Sequence, residues 1–221
     1  MILPRRIFDL SQPVFNNCPQ YPDVNPRPAS VRLLYTEAVQ GVNKEIVEIS
    51  THTGTHCDAP FHFLSEGPTI DEITLDKYVA PAVIADLRHK TLGSSIEVDD
   101  VRDLQVEGGD VVLLNTGWGH KRANTEEFLT KYVFLDEAAA EYLAQRDIAG
   151  VGIDAVSLGA YYDKAKSGSA HKSLLNAGKF IVEELYFPDE VMDGKKRLFV
   201  AFPVKLRGCG AAWTRATLWD A

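Results

Sequence analysis

The run from residue 52 to residue 62 reads His-Thr-Gly-Thr-His-Cys-Asp-Ala-Pro-Phe-His, which places three of the chain's six histidines and an aspartate within eleven positions. No other stretch restricts the backbone so tightly. Thr53, Gly54 and Thr55 are poor helix formers and Pro60 follows closely, so a helix presenting His52 and His56 on one face is not expected. A straight strand serves no better: four residues of strand span roughly 13 Å, whereas two atoms each about 2 Å from one ion lie close together. The chain must therefore turn, and Gly54 is the residue that tolerates the backbone angles a sharp turn needs. Val47-Glu48-Ile49-Ser50-Thr51 alternates like a strand, which predicts a strand end running into a loop that carries the cluster. Loops on a rigid scaffold are where binding and catalytic residues concentrate.

The residue types then point to a metal. Neutral imidazole and carboxylate are the ligands that Zn²⁺ or Mn²⁺ take, and His52, His56 and Asp58 supply three of them, leaving a fourth position for water. His62 reads as a proton-transfer group beside the ion, its ordinary pKa suiting that task; a fourth ligand or a histidine bonded behind a ligand is the alternative. Cys57, between two residues aimed at the ion, should point away and be buried as a small apolar side chain.

Composition narrows the partners. A chain of 221 residues with 45% hydrophobic residues, no repeat and no long linker is read as one domain spanning 1–221. A formal charge of −8 argues against nucleic acid or an anionic membrane, both of which need a basic face, and favours a small-molecule substrate. No run of eighteen apolar residues exists and no apolar signal region follows Met1-Ile2-Leu3-Pro4-Arg5-Arg6, which predicts a cytoplasmic protein. Three cysteines, Cys18, Cys57 and Cys209, imply no disulfide framework. The proline-rich run from Cys18 to Pro28 is expected to lie over a surface as an extended arm.

Strand-like patterns cover 7–11, 31–37, 44–51, 82–87, 110–115, 150–154, 179–186 and 197–205. Helices are expected at 136–146, where acidic residues open the segment and Arg146 closes it, at 124–132 and 98–104, and at 171–177, which ends at Gly178. Such alternation predicts a mixed α/β domain. In Phe180-Ile181-Val182-Glu183-Glu184-Leu185-Tyr186 strand alternation puts one glutamate on each face. A carboxylate among apolar neighbours is costly unless paired or bound to metal, so at least one must have a partner, and periodicity does not say which. Asp154 reads as a cap or turn residue, or else as a partner to a ligand.

The 52–62 run resembles the HxGTHxDxPxH signature of the cyclase-like metal-dependent hydrolases, a family that includes bacterial kynurenine formamidase and isatin hydrolase. The resemblance extends to Phe8-Asp9-Leu10-Ser11, Gly152-Ile153-Asp154, Ser157-Leu158, His171 with Glu183 twelve residues on, and Pro203-Val204-Lys205, nearly the whole chain. It implies a swivelling β/β/α fold and a homodimer or larger assembly. It further implies one or two divalent ions, Zn²⁺ or Mn²⁺, with His52, His56 and Asp58 on the first and Asp58, His171 and Glu183 on the second. His62 matches the catalytic histidine, and Tyr21 stands where formamidases place a tryptophan over the substrate, with the family's N-terminal aromatic reaching a neighbour's site. The implied reaction is hydrolysis of a small amide, formamide or lactam by metal-activated water. Kynurenine formamidase-like cleavage of N-formylkynurenine leads, with isatin hydrolase-like ring opening and a non-catalytic metal-binding domain as alternatives. Residues 160–170 and 208–216 depart from the formamidase pattern and bear on the substrate.

Overall fold

The computed structural model describes residues 4–23, 25, 27–162 and 164–220. A nine-stranded sheet organises them, in the order Arg6–Asp9, Thr217–Asp220, Arg197–Val200, Val79–Asp86, Asp110–Asn115, Ile148–Ile153, Phe180–Glu183, His56–Asp58, Ala211–Trp213. The four strands from Val79–Asp86 to Phe180–Glu183 run parallel, and antiparallel strands flank them on both sides. Parallel neighbours need crossovers. The helices Val98–Val101, Glu137–Gln145 and Lys164–Asn176 lie in them.

Asp110–Asn115 shows why such a sheet holds together. All six of its residues are buried, because both faces are covered. Val112 and Leu114 join the cluster under the helices with Val151, Ile153 and Ile181. Val111 and Leu113 face a second cluster with Phe8, Cys57, Tyr78, Phe180, Phe199 and Leu218. Phe180 and Phe199 stack with centroids 6.5 Å apart, although their strands are four spacings apart in the sheet, about 19 Å if it were flat. The sheet is therefore curled around the second cluster.

Local signals account for most elements. Asp136 accepts from the Ala139 amide and Thr125 from the Phe128 amide, capping the helices Glu137–Gln145 and Glu126–Thr130 as short polar side chains do. The mixed α/β architecture is as expected, with differences in several elements; the strand expected at 197–205, for one, stops at Val200. The helix expected at 171–177 is Lys164–Asn176, so His171 lies within it rather than at its start. Lys164-Ala165-Lys166-Ser167-Gly168-Ser169 carries little helical pattern in sequence. The strand expected at 179–186 stops at Glu183, because Glu184 has φ of 52°. The strand expected at 44–51 stops at Glu48. His56–Asp58 is itself a strand, three residues long and buried on both sides; its pairing comes from distant segments that no local pattern announces. Among the described residues, no helix is long and apolar enough to cross a membrane.

Candidate metal and active site

The turn between residues 51 and 55 and the His56–Asp58 strand build the core of the site. Gly54 has φ of 71°, a conformation costly for any residue with a Cβ, and it reverses the chain so that His52 returns over His56. His52 Nδ1 lies 3.2 Å from His56 Nε2 and 3.2 Å from Asp58 Oδ1. His56 Nδ1 sits 2.8 Å from the Gly54 carbonyl oxygen, which only accepts, so Nδ1 carries the proton and Nε2 is presented inward. Cys57 alternates to the other face, where its thiol donates to the Ala201 carbonyl, as expected.

Sheet register supplies the next ligand. In the antiparallel pairing of Phe180–Glu183 with His56–Asp58, Glu183 stands opposite His56, so the two side chains share a face. Glu183 Oε2 is 3.4 Å from His56 Nε2, and Oε1 is 2.9 Å from His171 Nε2. The Leu158 amide donates to the same Oε1 at 2.6 Å and the Ser157 hydroxyl at 3.4 Å. His171 reaches in from the helix Lys164–Asn176, 3.8 Å from Asp58 Oδ2.

Two ligand sets converge on one carboxylate: His52, His56 and Asp58, and Asp58, His171 and Glu183, each with its candidate ligand atoms within 4.8 Å of one another. Both oxygens of Asp58 are buried without a hydrogen-bond partner. Imidazole nitrogens stand 3.2 to 3.8 Å away, close but not bonded. A carboxylate so placed is unfavourable unless a positive charge meets it. Burial opposes a charge on His56, yet the neighbouring carboxylates of Asp58 and Glu183 outweigh it and raise its pKa well above the ordinary value. Burial likewise works against ionised Glu183, and His171 and His56 overcome it, bringing its pKa to about 2. The site thus concentrates negative charge and demands a cation, and its nitrogen and oxygen donors suit a divalent ion.

His62 closes the single helical turn Pro60–His62. Its ring lies 4.0 Å from the His52 ring and 6.1 Å from that of His171, centroid to centroid, beside the cluster. Desolvation by the surrounding protein lowers its pKa despite the raising pull of Asp58. The side chain is nonetheless exposed to the cavity, so water moderates that shift. Gly210 fits against its backbone: a Cβ there would come within 3.0 Å of His62 Cα.

A cavity of about 380 Å³ opens over the cluster, lined by His52, His62, His171 and Glu183, by Tyr21, Phe63 and Val156, and by polar residues including Gln20, Arg27 and Ser157. Tyr21 packs edge-on against Tyr161 at 5.9 Å and lines the cavity. Phe63, missed in sequence, stacks on His171 at 4.5 Å; an aromatic directly after the signature was the available signal. Glu184 is buried as deeply as Glu183 but bonds Arg122 instead. Asp154 accepts from the Thr116 amide and hydroxyl and the Gly119 amide; it fastens a turn, the first of its two sequence readings.

The chain is similar to known proteins over nearly its whole length. A family model described as putative cyclase matches residues 8–160. Kynurenine formamidase of Bacillus cytotoxicus is 32% identical over 212 residues, 96% of each chain. A solved structure described as a predicted metal-dependent hydrolase from Bacillus stearothermophilus superposes with a TM-score of 0.80 at 32% identity, covering 98% of both chains. Isatin hydrolase A from Ralstonia solanacearum shares the fold, with a TM-score of 0.86 at 21% identity over 98% of this chain and 92% of that one.

Proposed function

We infer that this chain, which belongs to the putative cyclase family, is a metal-dependent hydrolase that cleaves a small C–N bond, with a kynurenine formamidase-like reaction on N-formylkynurenine as the activity to test first. One observation carries the reading: two His/Asp/Glu ligand sets share the buried Asp58 carboxylate, whose oxygens lack hydrogen bonds. His52, His56 and Asp58 would hold one ion, and Asp58, His171 and Glu183 a second, with Zn²⁺ or Mn²⁺ as candidates. A divalent ion held there would polarise a carbonyl oxygen and bring the pKa of bound water towards 7.

The chain's own residues supply the rest. His62 stands on the cavity side of the cluster and moves the proton, taking it from the attacking water and returning it to the departing nitrogen of the scissile bond. Tyr21 and Phe63, at the cavity wall, give flat apolar surfaces on which an aromatic ring stacks. The Leu158 amide and Ser157 hydroxyl hold Glu183 in place, as residues behind a ligand do. Structural metal sites are closed by four protein ligands; here the cluster opens onto a cavity, which favours chemistry over a purely structural ion.

The same reading includes a homo-oligomer. The hairpin of Ser30–Tyr35 and Lys44–Glu48 exposes Leu33, Leu34, Tyr35, Val39, Val42 and Val47, an apolar set that a second copy would cover. The test is elemental analysis of the purified protein together with turnover of N-formylkynurenine, isatin and simple formamides. Turnover of the first supports the reading and preference for isatin shifts it to ring opening. A metal-loaded protein that hydrolyses no amide, lactam or ester refutes it.

A further inference from the structure

Glu184 combines three features that the proposed chemistry leaves unused. It is 1% exposed, it follows the candidate ligand Glu183, and it has a positive φ without being glycine. Residues held in that conformation persist where surrounding contacts over-determine them, and they gather at functional sites. The contacts here are specific. Glu184 Oε1 accepts from the Gly54 amide at 3.1 Å, and its backbone carbonyl accepts from the Thr55 hydroxyl at 2.6 Å. Both partners belong to the turn that sets His52 over His56.

The other carboxylate oxygen faces Arg122, whose Nε lies 3.1 Å and whose second terminal nitrogen lies 3.0 Å from Oε2. That guanidinium also donates to the carbonyls of Pro13 and Pro19, at 2.7 and 3.4 Å, and its carbon stands 5.8 Å from the centre of the Phe15 ring. Residues 13–19 lead directly into Gln20 and Tyr21 on the cavity wall. Arginine's planar fork suits such multiple contacts where lysine's single ammonium does not.

We propose that Arg122 and Glu184 are a pair of positioning residues that tie the histidine turn to the arm bearing Tyr21, so that metal-ligand geometry and the substrate wall are fixed together. Glu184 sets the turn through Gly54 and Thr55. Arg122 neutralises Glu184 and holds the arm through backbone carbonyls. Neither touches the reacting atoms. The inference rests on the proposed metal-dependent hydrolysis for its functional consequence, but its structural core concerns one amide and one arm and is measurable without substrate.

The experiment uses the full chain, with and without added Zn²⁺, as wild type, Arg122→Ala, Arg122→Lys and the double variant Arg122→Met with Glu184→Gln. Amide hydrogen exchange at Gly54 and across 13–21 reports on the turn and the arm directly. Zn²⁺ titration reports on the ligands, and KM against kcat reports on the wall. Arg122→Ala is expected to speed exchange at both places and to weaken Zn²⁺ binding 10- to 100-fold, the usual cost of losing a group behind the ligands. Arg122→Lys keeps the charge and should recover most of the Zn²⁺ affinity while leaving the arm loose and KM raised several-fold. The double variant removes both charges and retains an oxygen acceptor for Gly54, which protects against simple misfolding; it should bind Zn²⁺ more tightly than Arg122→Ala and still show the loose arm. Gly54 and arm exchange unchanged in the folded variants overturns the proposal. Wild-type protein that binds no metal overturns the functional reading instead, while the exchange data still decide this one.

Discussion

Gly210→Ala isolates the placement of His62 from the metal ligands. The added Cβ would meet His62 Cα at 3.0 Å, its amide nitrogen at 3.1 Å and its Cβ at 3.4 Å. Two of these are backbone atoms, which cannot rotate away. The segment bearing Gly210 has little room to yield, because the Gly210 carbonyl accepts from the Ala59 amide and the Cys209 carbonyl from the Ile70 amide, and the next residues form the edge strand Ala211–Trp213. Ordinary contact begins near 3.4 Å, so His62 must move by about 0.4 Å. A 1 Å misplacement of a catalytic group costs about 10²-fold; scaled logarithmically to 0.4 Å that is about sixfold in kcat. Metal content should stay at the wild-type value, since the three atoms nearest the new methyl group all belong to His62. Steady-state kinetics on whichever substrate the screen identifies, paired with elemental analysis, makes the measurement. His62→Ala, expected to lose about 10²-fold, gives the scale. Wild-type turnover in a folded Gly210→Ala protein would show that the position of His62 does not matter, and equal loss of metal and turnover would place the effect on the ligands.

Other consequences follow from the same contacts. Chelation of the metal should lower stability by about 4 kcal/mol if the ion is present at roughly a thousand times its Kd, a fall in Tm of about 8 to 16 °C for a chain of this size; no change in calorimetric Tm on chelation would argue against an ion at Asp58. Glu183→Gln should release about one ion per chain and His52→Ala should disturb metal content more broadly, because the glutamate is a charged ligand of the second set only; equal and full loss in both would indicate one mixed site. Far from the cavity, hydrogen bonds from buried Arg197 hold the Asp193 carboxyl well below its ordinary range. A carboxyl whose folded pKa is depressed stabilises the fold above its unfolded value, about 3.9, and that contribution fades as pH falls below it. Wild type should therefore exceed Asp193→Asn in Tm near pH 6, and the gap should shrink towards pH 2; a gap independent of pH would assign the effect to packing.

The sequence alone determined the parts of this protein that are settled within a few residues. Gly54 between two threonines, with histidines on either side, admits a sharp turn and little else, and the structure has that turn. Alternation along His56–Asp58 sends Cys57 away from its neighbours whatever the strand pairs with. Helices expected from 136 and 124 begin at Glu137 and Glu126, where Asp136 and Thr125 accept from amides three residues on. The pattern at 110–115 announced a strand, and the structure has one there.

What tertiary structure decided are the pairings between distant segments. His171 and Glu183 meet Asp58 because one register sets Glu183 opposite His56 and because the helix Lys164–Asn176 packs over that edge of the sheet. A register is fixed by the whole set of cross-strand contacts, and a shift of one residue would have turned Glu183 away. The strand expected at 179–186 ends early for a related reason: the positive φ of Glu184 stops the alternation, and that residue is held by Gly54, Thr55 and Arg122, none of them local. The curl that brings Phe180 onto Phe199 and the path that brings Tyr21 to the cavity wall are likewise properties of the packed chain, since the free energy that selects them comes from burial shared among segments and belongs to no single one.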